Sequence, residues 1–143
     1  IATAESCTGG YISKLITDQS YSSQYYKGSI IAYSNEIKSD ILKVPPELIS
    51  SHGAVSKDVS IAMARGLLKM MHADIAVSVT GIMEKNDEYS SKDCQVYITI
   101  MSLSNEITSY FKLDGLRKDN RLKTVNLAFS CLYDFINKHY LLS

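Results

Sequence analysis

Three short apolar runs, at residues 1–4, 28–33 and 75–79, each end in a polar turn, and the first two turns open straight onto helix-spaced apolar residues. A strand that hands over directly to a helix must return by a crossover, so its next strand lies parallel to it. After the first run, Tyr11, Ile12, Leu15 and Ile16 recur at helical spacing. After the second, Ser34 is suited to cap a short helix carrying Ile37, Lys38, Ile41 and Leu42, which ends before Pro45-Pro46. A loop through Gly53 reaches Ser56, a second capping residue, and a longer helix follows with Val59, Met63, Leu67 and Met70 inward, ending near His72. Residues 96–101 and 106–111 predict an antiparallel hairpin, and Asp114-Gly115 turns out of it. A final helix from about Lys118 presents Val125, Ala128, Phe129, Leu132, Ile136 and Tyr140 on one side. The expected fold is α/β, a mixed, mostly parallel sheet of about five strands with helices on both faces.

Pro and Gly total nine in 143 residues and form no linker, so residues 1–143 are read as a single domain. The chain opens on Ile1 within a strand, which suggests that something precedes it. Fifteen Lys and Arg balance fifteen Asp and Glu, whereas a general nucleic-acid binder carries a basic surplus to displace counterions. No apolar run approaches the roughly 18 residues that span a bilayer. Cys7, Cys94 and Cys131 are odd in number and far apart, which speaks against a disulfide framework and for a reducing, cytoplasmic setting. His52, His72 and His139 are scattered too, and no ligand spacing calls for a metal or another cofactor.

In an open α/β sheet, ligands bind outside the carboxyl ends of the parallel strands. Three such ends carry polar turns here: residues 5–10, residues 33–38 and Thr80-Gly81. Ser6 follows the first strand, and Thr8, Gly9 and Gly10 open a helix whose first N–H groups lack intrahelical partners. A hydroxyl nucleophile beside free N–H donors is the arrangement acyl transfer needs. None of the histidines lies at these turns, but Lys38 does, and a buried lysine can be held neutral enough to act as a base. Tyr33 offers a phenol that could relay or orient a proton. Cys7 is a rival nucleophile, and Arg117 and Arg121, one helical turn apart, could clamp a phosphate or carboxylate. The competing reading makes Ser6 a capping residue, the glycines packing devices, and Lys38 and the arginines solvated surface groups.

Taken together, residues 3–10 (TAESCTGG), 32–38 (AYSNEIK), 52–56 (HGAVS), Met63-Ala64, 80–82 (TGI) and the spaced Gly115, Arg117, Arg121, Thr124 and Val125 resemble the C-terminal domain of the CinA (competence/damage-inducible protein A) family, which includes the stand-alone nicotinamide-nucleotide amidases. The resemblance implies a three-layer α/β/α fold, a missing N-terminal helix and a homodimer or higher homo-oligomer. It also implies metal-free removal of ammonia from nicotinamide mononucleotide by a Ser/Lys mechanism, giving nicotinic acid mononucleotide. Ser6 would be the nucleophile, Lys38 its base and Tyr33 an assisting hydroxyl. Thr8, Gly9 and Gly10 would surround the oxyanion, Thr80 and Gly81 would edge the pocket, and Arg117 and Arg121 would take the phosphate.

The chain departs from the family pattern after TGI. Where the family runs AGPGG and later EKPVGTV, residues 83–89 read MEKNDEY and residues 90–96 read SSKDCQV. Leu116 stands where Asp is commoner. Side chains restrict the anion-cradling geometry that glycines allow, and Glu84, Asp87 and Glu88 would repel a phosphate if they faced it. Two readings follow: a working amidase, and an impaired CinA-like domain that serves as a nucleotide-binding or protein-interaction module.

Overall fold

The computed structural model describes residues 1–86 and 92–141. A five-stranded sheet is built from β1 (Ala2–Glu5), β2 (Gly28–Ile31), β3 (Ala76–Ile82), β4 (Gln95–Met101) and β5 (Glu106–Lys112), in the spatial order β2-β1-β3-β4-β5. β2, β1 and β3 run parallel, and β4 and β5 extend that core as an antiparallel hairpin. The mixed sheet expected from the sequence is therefore present, with its parallel part confined to the first three strands.

Side-chain alternation sorts the core into two layers. On one face Val77, Val79, Val96, Ile98 and Ile100 meet Ile12 and Ile16 of α1 (Tyr11–Thr17) and Val125, Ala128 and Phe135 of α5 (Arg117–Ile136). On the other, Ala2, Ala4 and Ala76 meet Val59, Met63, Ala64 and Leu67 of α4 (Lys57–Met71) and Leu42, beyond α2 (Asn35–Asp40). The small side chains of β1 let α4 lie close to the sheet. Polar atoms buried under α4 satisfy one another: the Ser60 hydroxyl lies 3.1 Å from that of Ser78 and 2.8 Å from that of Thr99.

The expected caps form, since Ser34 accepts from the Ile37 N–H and Ser56 from the Val59 N–H. Four details differ from expectation. Residues before Gly53 fold into α3 (Pro46–His52), with Pro46 at the first helical turn, where its missing N–H costs nothing. β2 is an edge strand rather than a buried one, which leaves Ile31 49 % exposed. Met70 faces solvent while Met71 packs inward, because 3.6-residue periodicity has drifted past it by the last turn of α4. Phe135 is the largest fully buried side chain of α5, whereas the expected Phe129 and Ile136 are only partly buried. Among the described residues, no helix is long and apolar enough to cross a membrane.

Candidate active site

The parallel register sets the site. Glu5 pairs with Ile31 and with Val79, so one residue further along, Ser6 lies between Ala32 and Thr80. The Ser6 N–H donates to the Val79 carbonyl (3.0 Å), and the Ala32 N–H donates to the Glu5 carbonyl (2.8 Å). Three strand ends thus fix the nucleophile candidate before any loop contributes. A cavity of about 360 Å³ opens there, and Ser6, Tyr33, Lys38, Thr80, Gly81 and Arg117 line it.

Lys38 reaches Ser6 from the second turn of α2. Its Nζ lies 3.1 Å from Ser6 Oγ and donates to the Ala32 carbonyl at 2.8 Å and, more weakly, to that of Tyr33 at 3.5 Å. The side chain is 2 % exposed, and burial pulls its pKa below the ordinary lysine value, with Cys7 opposing by a smaller amount. Among the described residues, no carboxylate bonds to the amine. When neutral, the amine has two hydrogens and one lone pair; the carbonyls take the hydrogens, and the lone pair is left facing the Ser6 hydroxyl. Burial has the opposite consequence at Cys7, whose thiol is pushed up to about 12, far from a thiolate at neutral pH. Ser6, by contrast, has its Oγ 3.1 Å from the Lys38 amine.

The rest of the first turn is built for shape. Gly9 and Gly10 take left-handed φ of 58° and 97°. A Cβ on Gly9 would come within 3.3 Å of an Arg121 nitrogen, and one on Gly10 within 3.0 Å of Ile31. Thr8 turns away from the cavity, and its hydroxyl donates to Glu5 Oε1 at 2.7 Å. The N–H groups of Gly9 and Tyr11 go to the carbonyls of Ser6 and Thr8. None of Thr8, Gly9 and Gly10 lines the cavity, so they shape the turn that carries Ser6 rather than its wall.

The two arginines part company. Arg117 lines the cavity and donates from Nη1 to Glu84 Oε1 (3.1 Å) and from Nη2 to the Tyr33 phenol oxygen (3.0 Å). Arg121 instead donates from Nε to the Cys7 carbonyl (3.1 Å) and from Nη2 to that of Thr8 (2.9 Å), bracing α5 against the Ser6 turn. The expected phosphate clamp is therefore not a joint one. Thr80 lines the cavity, with its hydroxyl held by the Ala54 carbonyl at 2.9 Å. Tyr33, 63 % exposed, has its hydroxyl at Arg117 rather than at Ser6 or Lys38. Of the acidic residues expected near the pocket, Glu84 faces it, and Asp87 and Glu88 lie outside the described residues.

Two supporting residues escaped the sequence reading. Glu5 is fully buried, and its carboxylate accepts from the N–H groups of Ile12 (2.9 Å) and Ser13 (3.0 Å) as well as from Thr8. An acid at a strand end just before a helix start is the signal that would have found it, because its charge suits the free N–H groups there. Asn120, 1 % exposed, donates from Nδ2 to the carbonyls of Met83 and Gly115 and accepts from the Gly115 N–H, tying the rim of the pocket to α5. Among the described residues, no group of three or more His, Cys, Asp or Glu side chains is placed to hold a metal ion.

The sequence and the fold are similar to those of known proteins. A CinA-like protein from Endomicrobium trichonymphae is 42% identical over 133 residues, which cover 92% of this chain and 31% of that protein. The chain spans about a third of the length of the curated relatives it matches. The competence/damage inducible protein CihA from Agrobacterium tumefaciens superposes with a TM-score of 0.88 at 33% identity, covering 93% of this chain and 82% of that one. The competence damage-inducible protein A (ComA) from Klebsiella pneumoniae superposes with a TM-score of 0.92 at 26% identity, over 97% of this chain and 86% of the other. The sequence profile of the CinA C-terminal domain matches residues 1–136, and on that match, together with the shared fold, the chain belongs to the CinA C-terminal domain family.

Proposed function

We propose that this domain is a Ser/Lys amidohydrolase that removes ammonia from nicotinamide mononucleotide and leaves nicotinic acid mononucleotide. The observation that carries the reading is the 3.1 Å contact between Ser6 Oγ and a buried Lys38 amine that, among the described residues, has no carboxylate bonded to it. A lysine used only for structure at such a depth would ordinarily be paired with an acid. The substrate comes from the resemblance to the nicotinamide-nucleotide amidases.

In this mechanism the neutral Lys38 amine takes the Ser6 hydroxyl proton as Oγ attacks the carboxamide carbon. The oxyanion forms beside the Cys7 N–H, the first main-chain donor after the nucleophile, at the cavity wall. The tetrahedral intermediate collapses as Lys38 returns the proton to the departing nitrogen, which leaves as ammonia. Water then attacks the Ser6 ester, again giving a proton to Lys38. Cleavage of that ester returns the proton to Ser6 and releases the carboxylate. Tyr33 and Arg117 sit where the substrate's polar tail would emerge, and Arg121 serves as a positioning residue through the carbonyls of Cys7 and Thr8.

One observation favours the alternative of a nucleotide-binding or interaction module: the Arg117 guanidinium is already engaged by Glu84. Ammonia release from nicotinamide mononucleotide by wild type and Ser6→Ala separates the two readings. The amidase reading predicts turnover by wild type and a loss of at least about a thousandfold in the variant. Equal rates overturn it.

A further inference from the structure

The charged side chains lining the cavity, among the described residues, are Lys38, Glu84 and Arg117. Lys38 must shed its charge to act as a base, and Arg121 is committed to two carbonyls. An anionic substrate group is left with Arg117, whose planar fork suits phosphate. Both outer nitrogens of that fork are engaged, one by the Tyr33 phenol and one by the Glu84 carboxylate, and the side chains of Arg117 and Glu84 are both nearly half exposed. The phenol is neutral and can share the guanidinium with an anion, whereas a second carboxylate-like charge at Nη1 would be repelled by the first.

We propose that Glu84 is a specificity-determining residue of this pocket: it occupies the guanidinium that a substrate phosphate would use, so that a phosphorylated amide binds only by exchanging with the Glu84 carboxylate. The inference rests on reading the cavity as a mononucleotide amide site. It assigns to Glu84 a definite role, that of lowering the pocket's preference for a phosphate ester over the corresponding nucleoside. The nucleoside, nicotinamide riboside, keeps the cationic ring and lacks the phosphate, so it gains nothing from the removal of an acid.

Calorimetric titration in the non-hydrolysing Ser6→Ala background, at low ionic strength, tests the exchange. Adding Glu84→Gln is expected to tighten nicotinamide mononucleotide about fivefold, the scale of a half-exposed ion pair, and to leave nicotinamide riboside no tighter. Glu84→Ala should act with the same sign, and with Arg117→Gln also present the gain should vanish. The proposal is overturned if both ligands tighten equally, if the gain survives Arg117→Gln, or if neither Glu84 variant binds the mononucleotide more tightly than Ser6→Ala alone. Its failure is distinguishable from failure of the amidase reading, which shows as absent ammonia release by wild type whatever the binding results.

Discussion

Arg121 makes two main-chain hydrogen bonds to the turn that holds Ser6, at Cys7 and Thr8, and reaches no part of the cavity. Replacing it by methionine should cost about 1–3 kcal/mol of stability, because the Cys7 carbonyl loses its Arg121 donor and the Thr8 carbonyl keeps only the Tyr11 N–H, and should lower kcat more than it raises KM. Arg121→Lys, which restores one donor, should recover part of kcat. Steady-state kinetics with a denaturation curve check this, and a change confined to KM would instead make Arg121 a substrate contact. The sequence shows the pair Arg117 and Arg121 one turn apart but not their division of labour. Four residues along a helix turn a side chain by about 40° and carry it about 6 Å along the axis. That displacement puts Arg117 at the cavity and Arg121 under the β1 turn. Lys38 was legible for a different reason: the apolar run 28–33 ends just before Ser34, and an amine one turn beyond that cap falls at the same sheet edge as Ser6.

At the scale of elements, β1 and α1 are joined through one carboxylate. Glu5 receives the N–H groups of Ile12 and Ser13 and the Thr8 hydroxyl, so the charge that caps α1 also fixes the turn between the two. Glu5→Gln keeps the shape but presents an amide N–H₂ to donors, and should lower stability by about 2–4 kcal/mol in a urea titration. A loss under about 0.5 kcal/mol would mean that the carboxylate is dispensable there. The helix and strand positions themselves were readable because caps, turn residues and apolar spacing agree at Ser34, Ser56 and Asp114-Gly115. What was not readable depends on partners distant in sequence. β2 is an edge strand because the order β2-β1-β3 leaves one side of it unpaired, and nothing within residues 28–31 encodes that order. α3 was missed because Pro45-Pro46 marks both the end of one helix and the allowed first turn of the next.

On the scale of the whole molecule, two helical layers around the sheet remove Lys38 from water, and this burial, rather than a neighbouring cation, lowers its pKa. Between that depressed value and the unfolded value of about 10.4, the unfolded chain binds more protons at this site than the folded one, so stability rises with pH across the window. Cys7 acts in reverse: its folded pKa of about 12 exceeds the unfolded value, so above about pH 8.5 it makes stability fall with pH. The difference in unfolding free energy between wild type and Lys38→Met removes the cysteine contribution except for the smaller part that Lys38 itself induces. It should rise with pH up to about 10 and then level off. A flat difference would mean that the fold does not penalise the charged amine. The zero net charge of the chain conceals this local arrangement, in which the pocket holds a buried amine, and the Arg117 guanidinium at its wall is engaged by an acid. The claim at the centre of the account is that Lys38 is neutral enough to deprotonate Ser6. NMR titration of the Lys38 amine, assigned by loss of its signal in Lys38→Met, tests it most directly: the account predicts a midpoint well below that of a free lysine, and a midpoint near about 10.4 would contradict it.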